Sequence, residues 1–126
     1  MQTKVLLSIR PDFAERIFDG SKRYEFRRVL FRSESVTTIV VYASSPVKRV
    51  IGEFTVGGIL KLRKQALWER TKDHAGIEKR YFDLYFAGRC TAFAIKVSSP
   101  ERYPAPIALE HAFNFSRPPQ SFRYVL

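Results

Sequence analysis

The sequence predicts an α+β fold in which mostly antiparallel strands curl into a small β-barrel with flanking short helices. Two observations carry this reading. Most of the chain falls into short β-branched or alternating segments, with helical spacing confined to one early stretch and one central stretch. The resulting order of strand, helix, three strands, two helices and two closing strands does not alternate as a parallel doubly wound sheet would. A length of 126 residues with a 45% hydrophobic and 14% aromatic composition suits a single domain over residues 1–126, ending in a proline-rich segment from about residue 100.

Lys4 to Arg10 sets Val5, Leu7 and Ile9 against Leu6 and Ser8, as in a first strand. Pro11 then suits a first helical turn, Phe13, Ala14, Ile17 and Phe18 form an apolar stripe, and Gly20 can take the left-handed stop conformation after Asp19. A charged strand follows in Lys22-Arg-Tyr-Glu-Phe-Arg27, with Tyr24 and Phe26 on one side and Arg23, Glu25 and Arg27 on the other. Beyond a polar break at Ser33 to Ser35, Thr38-Ile-Val-Val-Tyr-Ala43 is almost wholly apolar and predicts a central strand covered on both faces. Ser44-Ser45-Pro46 predicts a turn, and Arg49 to Val56 a strand ending at Gly57-Gly58. Ile59 to Tyr85 reads as two short helices broken around His74 to Gly76, with Ile77, Tyr81, Leu84 and Tyr85 as one apolar face. After Gly88, Thr91 to Val97 predicts a strand. The segment holding Pro100, Pro104, Pro106, Pro118 and Pro119 is expected to be extended or looped, and Phe122 to Val125 to close the sheet.

The charge balance narrows the partners. Twenty-two Lys and Arg against twelve Asp and Glu leave a net charge of +10, which favours an anionic partner, RNA or another nucleic acid or a nucleotide-like ligand. No run approaches the roughly 20 apolar residues that span a bilayer, so no membrane partner is expected. The first residues lack a secretion pattern, and a cytoplasmic location is expected. A lone cysteine, Cys90, excludes an internal disulfide, and His74 and His111 have no acidic partner at ligand spacing, so neither a metal nor another cofactor is expected. Cys90 reads as a buried thiol and the two histidines as loop residues.

The charged strand is the leading candidate site. Lys22 and Arg27 suit a phosphate or a base carbonyl, and Glu25 can accept from an exocyclic amine while ordering its neighbours. Aromatic rings at Tyr24, Phe26, Tyr42 and Trp68 offer candidate stacking faces, with Phe26 better explained as core. Ser44, Ser45 and Lys48 form a turn whose hydroxyls and amides can meet a phosphate, and Lys61, Arg63 and Lys64 suit nonspecific phosphate contact. A chain lacking both Lys22 and Arg27 side chains is expected to stay folded and to bind nucleic acid less well.

Several of these segments together resemble one family. Lys4 to Pro11, Phe13 to Gly20, the Gly-x-Lys-x-x-Glu-x-Arg pattern of Gly20 to Arg27, Val41-Tyr-Ala-Ser-Ser-Pro-Val47 and Ile51-Gly-Glu-Phe54 are similar to the ASCH family of the PUA-like superfamily. The Tyr-Ala-Ser-Ser-Pro segment resembles its branch of predicted transcriptional regulators. The resemblance implies a PUA-like barrel with a cleft beside the Gly20 to Arg27 strand, and RNA binding that regulates transcription or translation. It also implies an alternative, since one ASCH-type branch is a ribonuclease and another removes the acetyl group of N4-acetylcytidine. That amidohydrolase branch carries threonine where this chain has Glu25. For an enzyme, Lys22 would be the base or nucleophile and Glu25 a proton shuttle. A small-ligand sensor or protein interaction module is the third reading.

Overall fold

A computed structural model describes residues 3–125. Strand β1 (Lys4–Ile9) leads into helix α1 (Pro11–Asp19), which has proline in its first turn and ends on Gly20 at φ 88°. Strand β2 (Tyr24–Arg27) follows, then β3 (Thr38–Ala43) and the long β4 (Arg49–Arg63). Helix α2 (Lys64–Thr71), a 3-10 turn at Lys72–His74 and helix α3 (Lys79–Tyr85) precede the equally long β5 (Thr91–Ile107). A single helical turn, α4 (Leu109–Ala112), and strand β6 (Phe122–Val125) complete the fold.

The six strands form one mixed sheet in the order β2-β5-β4-β3-β1-β6. Among the described residues only β1 and β3 run parallel; the other pairs are antiparallel. This bears out the α+β, mostly antiparallel expectation. The sheet is not closed: no ladder joins β2 to β6 among the described residues.

Both faces of β1 and β3 are buried, as their composition requires. Val5, Leu7, Ile9, Ile39 and Val41 pack under Ala14 and Ile17 of α1, while Leu6, Val40 and Tyr42 face the opposite way onto Val50, Leu109 and Val125. A further cluster lies between the β4–β5 arm and helices α2 and α3, where Phe26, Leu67, Phe82, Phe86, Ala92 and Ala94 meet.

The structure departs from the sequence expectation in three places. Gly57-Gly58 does not end β4; the register against β5 shifts between Val56 and Gly58, so the glycines accommodate a bulge and the strand runs on. Ile59 to Arg63 is therefore strand, with Leu60 and Leu62 packed on the Phe82 cluster. The prolines at 100, 104 and 106 keep the expected extended form, within β5, which pairs with β4 on one side while β2 reaches Phe93 to Lys96 on the other. Proline is tolerated where a strand has a free edge. On α3 the buried residue is Phe82, and Leu84 is 69% exposed, so the expected Ile77-Tyr81-Leu84-Tyr85 core face is rotated. Cys90 is exposed, beside the glycine turn and outside the Thr91 strand.

Candidate nucleic-acid interface

The left-handed stop at Gly20 turns the chain, and three backbone hydrogen bonds then hold Lys22 and Arg23 in place. Lys22 N–H donates to Arg16 C=O at 2.9 Å, Arg23 N–H to His74 C=O at 2.9 Å, and Val97 N–H to Arg23 C=O at 2.9 Å. Lys22 is thereby driven beneath Ala75 and Gly76 and is 2% exposed. Its Nζ donates to Ala75 C=O at 2.9 Å and stands 4.7 Å from the Phe26 ring centroid and 5.3 Å from that of Phe13. Burial pushes the ammonium down to about 8; the Glu25 carboxylate partly opposes this and Arg16 adds to it.

Gly76 is the roof of this arrangement. It sits at φ +67°, and a Cβ there would press on the Lys22 stem and its Cα. Gly76→Ala should cost about 2–4 kcal/mol, combining left-handed strain with overpacking against backbone. Gly88, at φ +79° with nothing among the described residues within 4 Å of where a Cβ would stand, supplies the control. Its alanine variant should lose only about 1–2 kcal/mol, and urea melts showing equal losses would remove the steric argument.

On β2, alternation sends Phe26 into the Phe82 cluster and Glu25 and Arg27 the other way, yet both charged residues are buried, at 5% and 8% exposure. Arg27 Nη1 donates to Glu25 Oε2 at 3.2 Å, and Nη2 to Ser121 C=O at 2.9 Å and to its hydroxyl at 3.4 Å. The guanidinium thus spans from β2 to the residue just before β6, where the sheet has no ladder. Ser8 Oγ anchors the same segment by donating to Pro119 C=O at 2.8 Å.

Lys22, Glu25 and Arg27 form the floor of a cavity of about 490 Å³. Its walls come from the end of β1, the start of α1, the face of α3 and the Gln120-Ser121 segment. Arg10 lies 4.6 Å over the Phe13 ring and 5.2 Å over that of Tyr81. Arg28 lies 4.8 Å over Tyr85, whose ring is stacked near Tyr81 with planes 13° apart. With Arg89 the lining holds five cations and one carboxylate, Glu25. Such a site attracts anions electrostatically and offers aromatic faces to a planar group.

The other expected residues do not gather here. Tyr24 is half-buried against the Phe82 cluster, and Tyr42, 5% exposed among Leu6, Val50 and Leu109, is core with no open stacking face. Ser44 N–H donates to Ile9 C=O at 2.9 Å, so the turn holding Ser44, Ser45 and Lys48 borders the rim without lining the cavity. Lys61 is exposed on β4, 5.9 Å over Phe93, and Lys64 borders a separate cavity of about 390 Å³ with Trp68 and Lys79. Sequence reasoning missed Arg10, Tyr81, Tyr85, Arg89, Gln120 and Ser121 as site residues. Tyr81 and Tyr85 carried a signal: tyrosines four apart on a helix face signal a wet edge more than a core. His74 closes a 3-10 turn and His111 lies in α4, neither in a loop. Among the described residues no His, Cys, Asp and Glu group could hold a metal ion, and no helix is long and apolar enough to cross a membrane.

Comparison with known proteins places the chain among several relatives. The family model described as the ASCH domain matches residues 7–101. An ASCH domain-containing ribonuclease from Zymomonas mobilis is 33% identical over 128 residues, spanning 97% of this chain and 84% of that protein. The crystal structure of ASCH from Zymomonas mobilis superposes with a TM-score of 0.90 at 29% identity, covering 100% of this chain and 90% of that one. The large ribosomal subunit protein uL22 of Ureaplasma parvum is 25% identical over 121 residues, which span 96% of this chain and 39% of that protein.

Proposed function

Because the chain belongs to the ASCH domain family, we propose that it binds single-stranded RNA, seating one nucleotide in the cavity above Lys22, Glu25 and Arg27. The observation that carries this reading is the lining itself: five cations against one carboxylate, with two tyrosines at the rim, in a volume within the roughly 300–1,000 Å³ of small-molecule sites. Arg10, Arg28 and Arg89 at the mouth meet phosphates, Tyr81 or Tyr85 stacks on a base, and the floor reads what enters. The curled sheet then serves as a PUA-like barrel in which the Arg27 side chain replaces a ladder between β2 and β6. We take residues 1–126 as one such domain, acting in the cytoplasm as a regulator of transcription or translation.

Titration of a fluorescent single-stranded RNA across salt concentrations tests this. Three mouth arginines on three phosphates predict a slope of about −2 in log affinity against log salt. Absent or salt-insensitive binding would overturn the reading.

A second reading, cleavage of the bound RNA, is favoured by the Zymomonas ribonuclease at 33% identity. In it Lys22, held at about 8, takes the proton of the attacking hydroxyl once it leaves Ala75, Glu25 relays that proton to the leaving oxygen as its bond to phosphorus breaks, and the rim arginines stabilise the charge gathering on phosphorus. Gel analysis of the same RNA separates the two: fragments whose appearance depends on Lys22 make the chain an enzyme, and intact RNA leaves it a binding module.

A further inference from the structure

The cavity is cationic, so its one carboxylate stands out. Glu25 is 5% exposed, and among the described residues its hydrogen-bond partner is Arg27, at Oε2. Among the described residues no buried side-chain nitrogen or oxygen lacks a partner, so Oε1, which accepts no bond there, is reached by solvent, and the cavity that Glu25 lines gives that access. Arg27 clamps the carboxylate from behind, being itself tied to Ser121. The floor therefore presents a fixed, open acceptor at the end of a pocket whose other charges all repel protons and attract anions.

A phosphate is a poor occupant of that position, since Oε1 would face its oxygens. What Oε1 needs is an N–H donor, and a buried acceptor left unmatched weakens binding more than a good match strengthens it. Resting on the RNA-binding reading, we propose that Glu25 selects a nucleobase bearing an exocyclic amine, the amine donating to Oε1, and discriminates against uracil, which turns a carbonyl oxygen to the same place.

The test compares the unmodified protein's affinity for three RNA octamers with identical backbones: C8, U8, and an octamer of 2-pyrimidinone ribonucleotides, which lack the amine without added bulk. Each RNA is checked afterwards for intactness. C8 is expected to bind at least 10-fold more tightly than either of the others. Equal, salt-dependent affinity for all three would overturn the Glu25 assignment and leave RNA binding standing, whereas no binding of any octamer would overturn both. In Glu25→Gln, whose amide can donate as well as accept, the preference for C8 should collapse; its survival would overturn the assignment. The comparison on the unmodified protein decides even where that variant folds poorly.

Discussion

Arg27→Ala is expected to destabilise the protein by about 3–5 kcal/mol, the range for removing one partner of a buried ion pair. Four acceptors lose their donor at once: Glu25 Oε2, the Ser121 carbonyl and hydroxyl, and, at 3.5 Å, the Ser8 carbonyl. Glu25 is then left beneath the cavity without its ion-pair partner. The loss also opens the fold at its weakest seam, because the guanidinium links β2 to the approach of β6 where no ladder does. The melting temperature should fall by roughly 10–20 °C. Arg28→Ala, one residue along, removes an exposed cation lying over Tyr85. It should shift stability by less than about 0.5 kcal/mol while weakening RNA binding and flattening its salt slope by about 0.7. Thermal melts and titrations on the two variants check the contrast; equal stability losses would mean that burial does not distinguish the two arginines. The sequence led to the expectation that a chain lacking both Lys22 and Arg27 side chains would stay folded. The depth at which Arg27 lies adds a marked loss of stability to that expectation.

The burial of Arg27 shows which parts of the site were legible. Period-2 alternation assigned Glu25 and Arg27 to one side of a strand, and the structure keeps them there. Alternation cannot say whether that side meets water, because the covering pieces, α3 and Gln120-Ser121, arrive from far along the chain. The same limit misplaced Tyr42, whose burial depends on Leu109 and Val125 arriving from the C-terminal third. Elements governed by local rules came through well: Pro11 and Gly20 bound α1, and Thr38 to Ala43 is buried on both faces as its composition requires. Elements governed by a partner did not. Gly57-Gly58 is a stop signal by itself, yet β5 supplies a ladder that carries the chain through a bulge, and Leu60 and Leu62 then obey a strand period. The rim was hidden for a further reason. Arg10, Tyr81 and Arg89 carry no shared motif and become a site only when α1 and α3 meet, as in the 4.9 Å edge contact of Phe13 with Tyr81.

Lys22→Met separates what the fold tolerates from what the cavity uses. The ammonium is buried with one carbonyl and two aromatic rings for company, and burial holds it at about 8 against an ordinary 10.5. The unfolded chain binds this proton more tightly than the folded one. The resulting stability is therefore fully present above the unfolded value, near 10.5, and is lost as pH falls through about 8. At neutral pH the charge costs the fold roughly 3 kcal/mol by this linkage. Methionine fills a similar volume, meets Phe13 and Phe26 favourably and needs no proton, so the variant should be as stable as the parent or up to about 3 kcal/mol more stable at pH 7. The advantage should shrink as pH rises from 8 to 10.5, because only the parent gains stability there from this residue. RNA binding should move the other way, falling at least 10-fold at pH 7, since the floor loses its deepest positive charge. Parallel urea melts and RNA titrations at pH 7, 8.5 and 10 read both trends. A variant that is destabilised at pH 7, or that binds RNA as well as the parent, would show that Lys22 is retained for packing alone. A stable variant that no longer binds would show that the fold tolerates a buried charge for the sake of the cavity above it.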